Sequence, residues 1–168
     1  MAFSPYVALA VRLTPSWLVQ RVANDVFQNV LRLHPSILDR LGEFKDRSFG
    51  FRPTGFPLSF LIRPIRRQLE VRSHLAEGAA DATVSGPLHL LLSLAEGRCD
   101  ADALFFSRDL TVTGDMEAML ALRNALDDCH LDLPTDIGSL AGPFGPIVKN
   151  LAEKTRKRVL ASEDLQWN

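Results

Sequence analysis

The chain has 168 residues, of which 46% are hydrophobic and 23% charged, with a formal net charge of −1. That balance excludes a disordered polyelectrolyte, and near-neutrality removes the general pull towards nucleic acid that a basic chain carries. The charge is nevertheless uneven: residues 1–80 hold eleven Lys/Arg against six Asp/Glu, residues 81–145 three against eleven, and residues 146–168 five against three.

From the N-terminus, MAFSPYVALAVRLTP lacks the basic start and long apolar core of a secretory signal. Pro15-Ser16 opens a helical pattern in which Leu18, Val22, Val26, Val30 and Leu33 recur at three and four. His34-Pro35 stops it, because the residue before a proline is pushed out of the helical region. A short second helix follows from Pro35-Ser36, with Ile37, Leu38 and Leu41 apolar, and ends at Gly42.

From Arg47 the period changes to two. Phe49 and Phe51 share a face, then Leu58, Phe60 and Ile62, then Leu69 and Val71, then Ala82 and Val84. Four strands joined by short connections predict a largely antiparallel sheet with one apolar and one partly wet face. The run PLHLLLSLAEG predicts a helix that is apolar nearly all round, so two neighbours must cover it. Asp100 to Phe106 reads as a further helical turn, and Leu110 and Val112 as a fifth strand. Asp115 stands at an N-cap position before a stripe of Met116, Met119, Leu120, Leu122 and Leu126. The loop GSLAGPFGP then leads to a final helix with Val148, Leu151, Ala152 and Val159 beside Lys149, Lys154, Arg156, Lys157 and Arg158. The order α-α-β-β-β-β-α-β-α-α lacks strict βαβ alternation and predicts the α+β class.

Little in this chain points to catalysis. Ser107-Arg108-Asp109 has no G-x-S-x-G elbow and no histidine nearby, so it reads as a polar turn. A hydrolase or acyltransferase using Ser107 or His89 therefore ranks last. Cys99 and Cys129 lack a C-x-x-C pattern, and the four histidines are scattered, which argues against a zinc site or a disulfide scaffold. Asp127, Asp128, Asp132 and Asp136 lack calcium-loop spacing and read as a solvated helix end. Arg63, Arg66 and Arg67 form a basic cluster, but the aromatics that would stack bases lie on the apolar face, so no nucleic-acid partner is expected. No G-x-G-x-x-G or P-loop is present, and no cofactor is called for. The amphipathic, basic C-terminal helix fits a membrane interface or a partner, through Lys149, Lys154, Arg156, Lys157 and Arg158. No segment reaches the ~20 apolar residues of a membrane span, so a cytoplasmic protein, peripheral on the inner membrane at most, is expected.

The run GPLHLLLSLAEGRCDADALFFSRDLTVTGDMEAMLALRNAL resembles the sterol carrier protein type 2 (SCP2) domain family. Its wording from Ala103 onwards is similar to the bacterial UbiT-like branch of accessory factors in oxygen-independent ubiquinone biosynthesis. The resemblance implies an α+β, SCP2-like fold: a five-stranded, largely antiparallel curved sheet, with helices covering one face and enclosing an apolar cavity. It also implies a non-enzymatic lipid-binding role, with a lipid or prenylated quinone precursor as ligand and UbiU and UbiV-type proteins as partners. The expected division is 1–29, tail and helix; 30–130, lipid-binding domain; and 131–168, Gly/Pro-rich loop and basic helix. From the face assignment, Phe49, Phe51, Leu58, Phe60 and Ile62 are expected to line the sheet side of the cavity. Leu91, Phe105, Phe106, Leu110, Val112, Met119 and Leu120 are expected to form the other wall. The competing expectation is an adaptor with a filled core, docking through its acidic middle or basic C-terminal helix.

Overall fold

The computed structural model describes residues 15–96 and 109–129, together with 131, 132, 135, 136 and 138. The predicted helical turn over Asp100–Phe106 and the basic C-terminal helix lie outside the described residues.

Helix α1 spans Ser16–Leu33 and α2 Ser36–Leu41, and a single 3-10 turn covers Gly42–Asp46. Pro15 and His34 flank α1, as the sequence pattern requires, and Gly42 closes α2 at a φ of 54°. Strands β1 (Phe49–Thr54), β2 (Ser59–Arg63), β3 (Gln68–Arg72) and β4 (Ala82–Pro87) follow, then α3 (Leu88–Ala95), β5 (Thr111–Gly114) and α4 (Met116–Asp127).

The sheet order is β3-β2-β1-β4-β5. All neighbours are antiparallel except β1 and β4, which run parallel. Strict alternation of direction would have needed β4 to pair with β3. Instead residues 73–81 carry the chain back across the sheet, so that β4 pairs with the free edge of β1. Register puts Phe49 beside Ile62 and Ala82, and Phe51 beside Phe60 and Val84, on one face. The opposite face is not wholly wet, because Leu61 and Leu75 are fully buried there and Leu75 lies over Gly50.

The helices bury faces that differ from the simplest stripe. On α1, Leu18, Val22 (53% exposed) and Leu33 face outward, and the buried side runs through Ala23, Val26, Phe27, Val30 and Leu31. Polar side chains set that rotation. The amide nitrogen of Gln20 donates to the Leu69 carbonyl oxygen at 2.6 Å, and its oxygen accepts from the Val71 N–H at 2.7 Å. Asn24 accepts from the Leu69 N–H at 3.3 Å, and the Gln28 amide donates to the Arg67 carbonyl. These bonds cover the outer edge of β3, which would otherwise offer unpaired backbone groups to another strand. On α4 the buried residues are Ala118, Met119, Leu122 and Ala125, while Met116 and Leu120 are exposed.

Candidate lipid-binding pocket

Two halves of the same sheet face pack differently, and the contrast creates the site. Over β4 and β5 the contacts are close. Ala82, Val84, Ala118 and Ala125 have no exposed surface, and Leu110 and Met119 are buried beside them. Small residues let the backbones approach: a Cβ on Gly86 would lie 2.8 Å from the Asp109 carbonyl oxygen, and one on Gly114 would collide with the Asp81 carbonyl. Gly114 also has a φ of 89°, a conformation that L side chains rarely adopt.

The turn from β5 into α4 is fixed by charge as well. Asp115 caps α4 by accepting from the Ala118 N–H at 3.0 Å, and its own N–H donates to the Asp81 carbonyl at 2.8 Å. The Asp81 carboxylate accepts from the Ser48 N–H and hydroxyl at 2.7 and 2.6 Å, with Arg47 at 3.7 Å. The hydrogen bonds from Ser48 are the main reason its carboxyl sits below the usual value, and Arg47 adds to the effect.

Over β1, β2 and β3 the side chains on this face are large. Here a pocket of about 260 Å³ opens between the sheet and α1, α2, α3 and α4, and every side chain lining it is apolar. The sheet supplies Phe51, Phe60, Ile62 and Leu69. The facing wall comes from the inward side of α1 and from Leu88, Leu91, Leu92 and Ala95 of α3, with Leu122, Leu126 and Leu131 at the α4 side. Helix α3 can be apolar nearly all round because it meets β1, β4, α4 and this pocket. The volume falls just below the range for small-molecule sites, which run from about 300 to 1,000 Å³.

Of the residues expected to line a cavity, Phe51, Phe60, Ile62 and Leu91 are brought together around this pocket. Phe49, Leu110 and Met119 are buried in the core and Val112 packs against it, and none of these four is in the pocket lining. Leu58 precedes β2 in the β1–β2 turn and falls outside the lining. Leu120 is 50% exposed on α4 because Ala118, Met119 and Leu122 take the inward side, which corrects its face assignment. Phe105 and Phe106, Ser107 and the basic residues Lys149, Lys154, Arg156, Lys157 and Arg158 lie outside the described residues. Helix α1 also contributes Ala23, Val26, Phe27, Val30 and Leu31 to the lining, and these recur at three and four as regularly as Leu18, Val22, Val26, Val30 and Leu33.

The acidic run is also more than a solvated helix end. Asp128 pairs with Arg40 and Asp127 with Arg123. Asp136 is buried, with one carboxylate oxygen 3.3 Å from the His34 ring nitrogen, and its carbonyl accepts from the Asn29 amide at 2.7 Å. These contacts fasten the chain after α4 to α1 and α2, next to Leu131 of the pocket. Among the described residues no group of His, Cys, Asp and Glu could hold a metal ion.

The description of the SCP-2 sterol transfer family matches residues 27–127, more than half of the sequence, and the chain belongs to that family. Among solved structures it is similar to a UbiJ-SCP2 ubiquinone synthesis protein, with 24% identity over 79% of this chain and 98% of that one and a TM-score of 0.47. It is also similar to sterol carrier protein 2 of Yarrowia lipolytica in its apo form, with 16% identity over 71% and 98% of the two chains and a TM-score of 0.45. Sterol carrier protein 2 of Aedes aegypti in complex with palmitate shares 15% identity over 60% and 96%, with a TM-score of 0.43. No curated protein matches the chain. Among the described residues no helix is long and apolar enough to cross a membrane.

Proposed function

We propose that this protein is a non-enzymatic carrier that holds the apolar chain of a lipid in the pocket between β1–β3 and the helices. The observation that carries the reading is the lining itself, which contains only apolar side chains. Such walls reward burial of hydrocarbon, at about 0.8 kcal/mol per methylene. They offer no side-chain partner to a polar head, whose burial without hydrogen bonds costs about 2–7 kcal/mol. The ligand therefore enters tail first and keeps its polar end at the rim. Family membership supports lipid binding, and the sequence resemblance across residues 86–126 favours a prenylated quinone precursor in oxygen-independent ubiquinone biosynthesis. In that reading UbiU and UbiV-type proteins act on the exposed ring while this chain shelters the tail.

Extraction of the purified protein from cells grown with and without oxygen tests the proposal. A prenylated aromatic precursor should copurify, enriched in the cells grown without oxygen. A mixed phospholipid extract that ignores oxygen would retain the carrier and remove the ubiquinone assignment. An extract free of lipid under both conditions would remove the carrier itself.

A further inference from the structure

The turn between β2 and β3, residues 64–67, carries charge and apolar surface that neither the core nor the pocket uses. Ile65 is 50% exposed at its tip, and Arg66 and Arg67 follow it, also exposed. Arg63, the third member of the basic cluster, is already paired with Glu70, which also takes Arg72 at 2.6 Å. Arg66 and Arg67 are thus the charges the turn presents to solvent. Lys45, exposed on the 3-10 turn, joins them, since its carbonyl oxygen accepts from the Ile65 N–H at 3.2 Å. The opposing charges on that short helix are Glu43 and Asp46.

The turn is also stiff. Arg67 has a φ of 49°, an uncommon left-handed conformation for a residue other than glycine. Its N–H donates to the Pro64 carbonyl at 2.9 Å, and its carbonyl accepts from the Gln28 amide of α1. Strain held in place by surrounding bonds is a reason to look for a role. Here it keeps an apolar tip outward between cationic neighbours. Pro64, which opens the turn, and Leu69, which follows it, line the pocket, so the exposed tip adjoins the lining.

We propose that this turn docks the protein on an anionic lipid bilayer. Ile65 enters the boundary between headgroups and acyl chains, and Arg66 and Arg67 pair with lipid phosphates. An acidic protein would use the two arginines but leaves the exposed isoleucine beside them unexplained, whereas an anionic bilayer accepts both. The choice of a bilayer also rests on the carrier reading, because a chain buried in the pocket is insoluble and must come from a membrane.

Sedimentation of the full chain with phosphatidylcholine vesicles, with and without phosphatidylglycerol, tests the proposal. A basic residue near an anionic surface contributes about 1 kcal/mol, or roughly fivefold in partitioning. The Arg66→Ala/Arg67→Ala double variant should therefore bind anionic vesicles about 25-fold more weakly than the wild type. Ile65→Ser should lower binding to the same vesicles while preserving its salt dependence. Both variants should keep the copurifying lipid seen by native mass spectrometry, because occupancy at equilibrium belongs to the pocket. Undiminished vesicle binding by the double variant overturns the proposal. So does an Arg66- and Arg67-dependent affinity for polyglutamate without affinity for anionic vesicles, which would assign the turn to an acidic protein. Loss of the copurifying lipid without loss of vesicle binding would count against docking here while leaving the carrier in place. An empty wild-type protein whose vesicle binding still depends on these residues would do the reverse.

Discussion

The β4–β5 half of the molecule and the β1–β3 half are built on one sheet, and among the described residues the apolar pocket opens over the second. The difference lies in side-chain size at the contact. Alanine and glycine at positions 82, 86, 114, 118 and 125 let α4, β4 and β5 approach closely. In the other half Phe51, Phe60, Ile62 and Leu69 are large but only partly buried, and they form the sheet side of the pocket. One sequence thus contains a rigid clamp and an apolar vessel. Mutations should affect fold in the first and occupancy in the second.

The largest expected effect is at Gly114. Gly114→Ala places a Cβ against the Asp81 carbonyl at a strained φ, and a loss of more than about 3 kcal/mol in urea denaturation is expected. A loss below about 1 kcal/mol would mean that the clamp yields and the two halves are not distinct. Next comes the pair Phe49→Ala and Phe60→Ala, which differ in location and not in chemistry. Phe49 is fully buried and should lose about 3–5 kcal/mol. Phe60 already borders empty space and should lose clearly less, about 1–2 kcal/mol. Equal losses would erase the contrast.

Gln20→Ala strips the outer edge of β3 of two hydrogen bonds and should cost about 1–2 kcal/mol. Because the edge is then open, concentration-dependent association should appear in sedimentation velocity. The smallest effect is with acid. The carboxyls of Asp81 and Glu70 are held below their usual values, Asp81 chiefly by Ser48 and Glu70 chiefly by Arg72. A lowered folded value means that the stabilisation is present above the ordinary carboxylate range and is lost as pH falls through the folded value. The Asp81 side chain is 40% exposed, so solvent screening keeps its share small. Asp81→Asn should flatten the acid limb of a stability-against-pH curve and leave the slope near neutrality unchanged.

Much of this architecture was legible in the residues. Proline before Ser16 and Ser36 and Gly42 after Leu41 mark helix ends through backbone sterics, which act locally. Alternation put Phe51, Phe60 and Ile62 on one face, and they do meet at the pocket. What could not be read was set by distant partners. The parallel pairing of β4 with β1 depends on which edge is free once β2 and β3 have formed. The rotation of α1 depends on Gln20, Asn24 and Gln28 finding backbone groups about forty to fifty residues away. Periodicity also cannot distinguish a filled face from one bordering a void, since both need apolar residues at the same spacing. That is why Phe49 and Phe51, two residues apart on β1, differ: the first is fully buried in the core and the second borders the pocket.

The account is tested most directly by filling the void without touching the clamp. Ala95 lines the pocket from α3, and Ala95→Phe would occupy space that the ligand is claimed to use. Native mass spectrometry of both proteins from the same cells, with urea denaturation alongside, gives the answer. The wild type should carry one lipid mass, and the variant should be empty while its unfolding free energy stays within about 1 kcal/mol. A wild type that flies empty, or a stably folded variant that keeps the same lipid, would contradict the claim that this pocket is the binding site.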